Sequence, residues 1–174
     1  MKTFLSKMAI VAIALTMNLP VFSQEKGDMA IGGNFVFTGN RYDRSMNTRM
    51  GVSAKARYNI LDAIRAEGEL TLFLPKNSVT WVDLSLNGHY LLPIADAVTV
   101  YPLAGLGIYN WFYTGKGVGY SNHNDVCFNL GGGMDFYITD QLYFNVEAKI
   151  KLVNGYYHYG NINLLVSAGV AYKF

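Results

Sequence analysis

From Leu142 to Leu152 every second residue is apolar: Leu142, Phe144, Val146, Ala148, Ile150 and Leu152 alternate with Tyr143, Asn145, Glu147, Lys149 and Lys151. A period of two is that of a β-strand, whose side chains point to opposite faces in turn. The same alternation predicts strands at residues 28–38, 48–58, 64–74, 80–92, 97–109, 126–137, 142–153 and 162–174. Each is ~11–13 residues long, near the length of a tilted membrane strand and about twice that of an ordinary soluble one. No segment after residue 23 has helical periodicity.

One row of these strands carries no charge, and the other carries Arg49, Lys55, Arg57, Arg65, Glu67, Glu69, Asp83, Asp135, Glu147, Lys149, Lys151 and Lys173. Two barrels satisfy that pattern. A soluble lipocalin-like barrel turns its apolar row toward a ligand cavity, whereas a membrane barrel turns it toward lipid. A charge in lipid costs ~2–4 kcal/mol near the midplane, so a complete absence of charge from eight rows favours lipid.

Loop lengths agree with that choice. Tight turns at 59–63, 93–96 and 138–141 alternate with connections at 39–47, 75–79, 110–125 and 154–161, all but 75–79 longer than the turns, the asymmetry of short periplasmic turns and longer outer loops. Aromatics gather near strand ends, with Tyr58, Tyr90, Phe136, Tyr172 and Phe174 at one end and Phe37, Trp81, Tyr109 and Trp111 at the other. These are expected to form interfacial girdles. The predicted fold is all-β: an eight-stranded antiparallel up-and-down transmembrane β-barrel. Pro102 falls inside the fifth strand, where a closed barrel has no edge to hide a missing donor, so a bulge or local break is expected there.

Lys2 and Lys7 precede an apolar run from Met8 to Leu19, which is followed by Val21 and Ser23 at the −3 and −1 positions of a signal peptidase site. The run is short of the ~20 residues that span a bilayer as a helix. We therefore expect residues 1–23 to be a cleaved signal peptide, with cleavage between Ser23 and Gln24, and residues 24–174 to form one outer-membrane domain. Removing the leader takes two lysines from the 14 basic residues and leaves 12 against 12 acidic ones. A neutral chain without a basic run gives no electrostatic case for nucleic acid. Cys127 is the single cysteine, so no intrachain disulfide is available.

The charged row predicts a lumen filled by paired residues: Arg49, Lys55, Arg57, Arg65, Glu67, Glu69, Asp83, Asp135, Glu147, Lys149 and Lys151. Side chains roughly fill an eight-stranded barrel, and buried charges need partners. The hairpin turning at 59–63 places Lys55 near Glu67. A narrow polar passage for ions or small solutes is the alternative. Catalysis is not expected: Ser85 and His89 share the inward row, but four strand residues span ~13 Å, too far for a nucleophile and its base. His89, His123 and His158 lack metal-ligand spacing, and Gly131-Gly-Gly133 follows no βαβ pattern, so no metal or cofactor is expected.

Asn129-Leu-Gly-Gly-Gly-Met-Asp-Phe-Tyr137, turning into Leu142-Tyr-Phe-Asn-Val-Glu147, and the segment Gly169-Val-Ala-Tyr-Lys-Phe174 resemble the small eight-stranded outer-membrane barrels of Gram-negative bacteria, the OmpX-like and OmpA-transmembrane-like proteins. The resemblance covers residues 28–174. It implies that Gly169, Tyr172 and Phe174 act as an assembly signal for the outer-membrane insertion machinery, although Leu165 stands where a polar residue is frequent. The family includes adhesion, structural, small-solute and host-interaction proteins, so fold analogy selects none of them. The predicted loops carry Arg41, Arg44, Trp111, Phe112, Tyr113, Lys116, Tyr156, Tyr157 and Tyr159, with Lys76 nearby. Aromatic and cationic residues there suit anchoring at the membrane surface and contact with anionic lipopolysaccharide or an external partner. A structural or surface-interaction role in a monomer is expected.

Overall fold

The computed structural model describes residues 24–42, 45–113, 123–154 and 162–174. The strands are β1 (Met29–Tyr42), β2 (Ser45–Leu61), β3 (Ile64–Phe73), β4 (Val79–Tyr90), β5 (Leu92–Ala95), β6 (Val98–Tyr113), β7 (His123–Tyr137), β8 (Leu142–Asn154) and β9 (Ile162–Lys173). Neighbours pair antiparallel in the order β4-β3-β2-β1-β9-β8-β7-β6-β5, and β4 also pairs with β6. Because β4 and β5 are successive pieces of one stave, both lying along β6, eight staves close into a barrel. No described residue is helical.

Alternation sets the two faces. Phe35, on the outward row, is 79% exposed, whereas Glu67 and Lys151, on the inward row, are 0% exposed. A slip of one residue would reverse every side chain, so the charge pattern itself enforces register. At the seam, Ala30 lies opposite Lys173 and Asn40 opposite Asn163. A Cβ at Gly169 would run into the Gly33 carbonyl and lie 2.6 Å from Asn34 Cα, so this position on the seam needs glycine.

Three expectations require correction. The connection predicted at 39–47 is mostly strand, because the β1–β2 ladder continues to Tyr42 opposite Ser45. The predicted strand at 80–92 ends at Tyr90, and Leu92–Ala95 form β5 where a turn was expected. β6 runs without a register shift through Pro102, which pairs with Gly132. The break falls on the neighbouring stave instead: the ladder to β6 stops at His89 opposite Leu103 and resumes at Leu92 opposite Val100. Pro102 thus displaces its defect onto the partner that would have received its N–H.

Candidate functional site in the lumen

The lumen is divided along its axis. From the short-turn end up to the level of Asp83 and Lys151, which lie against Tyr109, β2 and β3 contribute Lys55, Arg57, Arg65, Glu67 and Glu69, while β4, β7 and β8 contribute Asp83, Asp135, Glu147, Lys149 and Lys151. All ten are buried, and they divide into five cations and five anions. Arg57 Nε donates to Glu67 at 2.7 Å and Nη1 to Asp135 at 3.3 Å, while Arg65 Nη1 donates to the second Asp135 oxygen at 2.7 Å. Lys55 donates to Glu147 at 2.9 Å and lies 3.6 Å from Glu67 and 3.7 Å from Glu69. Lys149 pairs with Glu69 and lies 3.1 Å from Glu147; Lys151 pairs with Asp83.

Strand order gives these contacts their meaning. β2 and β7 are four staves apart, as are β3 and β8, so Arg57–Asp135 and Lys149–Glu69 cross the diameter. Amides form a further level: Asn34 donates to Asn145 at 2.6 Å and Asn129 to Asn87 at 2.9 Å, and Asn87 donates to Glu67 at 3.2 Å.

Tyr101 stands within the network, its ring stacked 4.6 Å from that of His89 at an interplanar angle of 9° and 4.7 Å from the Arg65 guanidinium. It uses space left by Gly133, where a Cβ would lie 2.5–2.8 Å from the Tyr101 ring and hydroxyl. Arg65 Nε donates to His89 Nδ1 at 3.1 Å, which leaves the imidazole N–H at Nε2, 3.7 Å from Glu67. Glu67, His89 and Glu147 bring ligand-type atoms within 4.8 Å of one another, a gathering that histidine spacing does not reveal. The Lys55 ammonium lies against both of these carboxylates, and the neighbouring guanidiniums add to the repulsion a metal cation would meet. Ser85 donates to Asp83 at 2.5 Å and accepts from Lys151 at 3.1 Å, so its described contacts do not include His89.

At the loop end the chemistry changes. Val36, Phe73, Trp81, Tyr109, Cys127 and Leu165 form a buried cluster, with Trp111 and Val153 packed against it. Trp81 and Tyr109, expected in the lipid girdle, are each only 2% exposed and point inward. Their ring centroids are 5.4 Å apart, and Trp81 is 5.0 Å from Trp111, which was likewise expected in the girdle and the outer loops but packs against this inward cluster. Arg49 is not part of the ionic network. Its guanidinium lies 3.8 Å over the Trp81 ring and donates to the carbonyls of Val79 at 2.7 Å and Lys76 at 3.3 Å. Every stave therefore contributes to this aromatic cap.

The short-turn end is narrow as well. Tyr137 and Tyr143 pack 5.1 Å apart, Gln24 donates to the Tyr137 hydroxyl, and Lys173 pairs with Asp28 at 3.1 Å. The void between them is about 10 Å³, about the least that holds one water. Tyr172 and Phe174 lie outside, with rings 5.3 Å apart. Phe112 faces outward on β6. The backbones of Arg41 and Tyr113 belong to β1 and β6. The predicted leader through Ser23, together with Arg44, Lys116, Tyr156, Tyr157 and Tyr159, lies outside the described residues.

Residues 9–174 match the family model described as "Outer membrane protein beta-barrel domain". No curated protein matches. Among solved structures, the chain is similar to Neisserial surface protein A, with a TM-score of 0.71 and 14% identity over 86% of this chain and 100% of that one. It is also similar to Ail, the attachment invasion locus protein of Yersinia pestis, with a TM-score of 0.63 and 15% identity over 86% and 99% of the two chains. A second Ail structure, in complex with the heparin analogue sucrose octasulfate, gives a TM-score of 0.65 and 13% identity over 86% and 99%. OprG from Pseudomonas aeruginosa gives a TM-score of 0.57 and 13% identity over 88% and 99%. At these identities the likeness is one of fold.

Proposed function

Because the chain belongs to the outer-membrane β-barrel domain family, we propose that it is a non-enzymatic, non-conducting barrel with a structural or surface-interaction role. Membership sets aside the soluble lipocalin-like carrier. The observation that carries the reading is the pair of diametric bridges, Arg57–Asp135 and Lys149–Glu69, beneath a cap built from every stave. An ion would have to displace buried partners before reaching the cap. In planar bilayers the purified protein is expected to give no conductance steps; discrete, reproducible steps from the wild type would overturn the reading in favour of a narrow-pore porin.

In this reading the short-turn end faces the periplasm and the loop end faces outward. Arg41, Arg44, Lys76 and Lys116, with the aromatics Phe112, Tyr113, Tyr156, Tyr157 and Tyr159, contact lipopolysaccharide or an anionic external partner, whereas Trp111 is committed to the cap. The sulfated sugar bound in the Ail complex supports an anionic glycan as the class to test. Charge reversal of Arg41 and Arg44 is expected to weaken binding of the intact barrel to lipopolysaccharide; undiminished binding would remove those residues from the role. Signal cleavage leaves Gln24 as the first mature residue, which N-terminal sequencing of the outer-membrane fraction checks. Gly169, Tyr172 and Phe174 are read by the insertion machinery of a monomeric barrel, and deletion of Phe174 is expected to lower the inserted fraction.

A further inference from the structure

The defect beside Pro102 has an outward side. Leu91 N donates to Ala63 O at 2.8 Å, so the backbone groups of Leu91 are directed toward β3. By alternation those of Tyr90 are directed toward β6, where its partner in the register is Pro102. Pro102 has no N–H, and the ladder skips this position. The Tyr90 carbonyl therefore lacks its strand donor, at the level of the aromatic girdle, where lipid headgroups reach the wall.

A depression of about 600 Å³ opens on the outer wall at the same place. Gly88, Pro102 and Ala104 make its shallow floor, and Ile64, Tyr90 and Leu130 stand around it. It lies on the charge-free row, in the half of the barrel nearer the short-turn end, and Tyr90 belongs to the aromatic girdle there. A second barrel presents a convex wall that cannot enter such a hollow; a flexible hydrocarbon chain can.

We propose that this groove seats one acyl chain of a phospholipid whose primary ammonium headgroup donates to the Tyr90 carbonyl. A quaternary ammonium headgroup has no N–H and cannot make that bond, so the site discriminates between headgroups carried on identical chains.

The test is native mass spectrometry of the detergent-solubilised barrel with equimolar phosphatidylethanolamine and phosphatidylcholine of the same acyl composition. Wild-type protein is expected to retain one phosphatidylethanolamine in about tenfold preference, the scale of one charge-assisted hydrogen bond. Pro102→Val restores an N–H opposite Tyr90 and is expected to bring the ratio near one while lipid is still retained. Gly88→Leu and Ala104→Leu fill the groove and are expected to abolish retention. A Cβ at Gly88 meets its nearest neighbour, the Ala104 carbonyl, at 3.8 Å, so the first carbon of that side chain fits. Ala56→Leu, on another part of the outward wall, is expected to behave as wild type. Heat-modifiable mobility in gels identifies folded variants. Equal retention of the two lipids by wild type overturns the headgroup contact, and undiminished retention by folded Gly88→Leu or Ala104→Leu overturns the groove. Should neither filled variant fold, the wild-type and Pro102→Val ratios decide.

Discussion

The two halves of the lumen solve the same packing problem with opposite chemistry. The aromatic cap fills space with Phe73, Trp81, Tyr109 and Trp111, whose edge and tilted contacts tolerate a range of angles. The ionic core fills space with long charged chains whose partners must be in place, because a desolvated charge without a counterion is costly. Loss of bulk in the cap scales with the volume removed, whereas loss of one ion in the core strands several others. In the proposed non-conducting barrel the cap occludes, and the core specifies which strand lies opposite which.

The largest expected effect comes from the core. Glu67→Ala removes an acceptor of Arg57 and Asn87 and a neighbour of Lys55, and should lower stability by ~3–5 kcal/mol in urea unfolding from lipid vesicles. A loss no larger than that of a cap substitution would erase the distinction between the regions. In the cap, Phe73→Leu removes part of a ring from an apolar cluster and should cost about 1–2 kcal/mol in the same assay. Next is Arg49→Lys, which keeps the charge but loses the fork that reaches two carbonyls and the planar contact with Trp81. About 1 kcal/mol and a shifted tryptophan emission are expected, and an unchanged spectrum would detach Arg49 from the cap. The smallest net effect belongs to the double change Lys151→Met with Asp83→Leu: replacing both members of a buried pair by apolar chains should cost within about 1 kcal/mol of zero, although either change alone costs several. Equal costs for the double change and the sum of the singles would mean that these two residues do not act as a pair.

Parity is what the sequence makes legible. Alternation over a dozen residues separates Lys149 and Lys151 from Ile150 and Leu152 without knowledge of the fold, and it locates eight staves. Position around the barrel is not legible in this way. Whether Glu69 meets Lys55, across its own hairpin, or Lys149, 80 residues away, depends on shear and closure, which no local pattern carries. The cap was missed for a different reason. Aromatics near strand ends suggest girdles, yet Trp81 shares the parity of Asp83, and that parity is the better guide to its inward position. Tyr101 was hidden because β6 has no charge to mark its inner row. Pro102 correctly announces a defect, but the hydrogen bond it lacks belongs equally to Tyr90, so the disruption falls on the strand that receives rather than the one that gives.

Seven of the eight stave contacts join neighbours in the chain, and the β1–β9 seam joins residues as distant as Ala30 and Lys173. Phe174 N donates to Met29 O at 2.9 Å beside the Lys173–Asp28 pair, so both edges meet at the short-turn end. In kinetic terms, hairpins can accumulate one after another at little entropic cost, whereas the ring closes only when the last strand finds the first. Until then two unpaired edges persist, and the lifetime of that open sheet, rather than the strength of any single hairpin, governs its exposure to wrong partners.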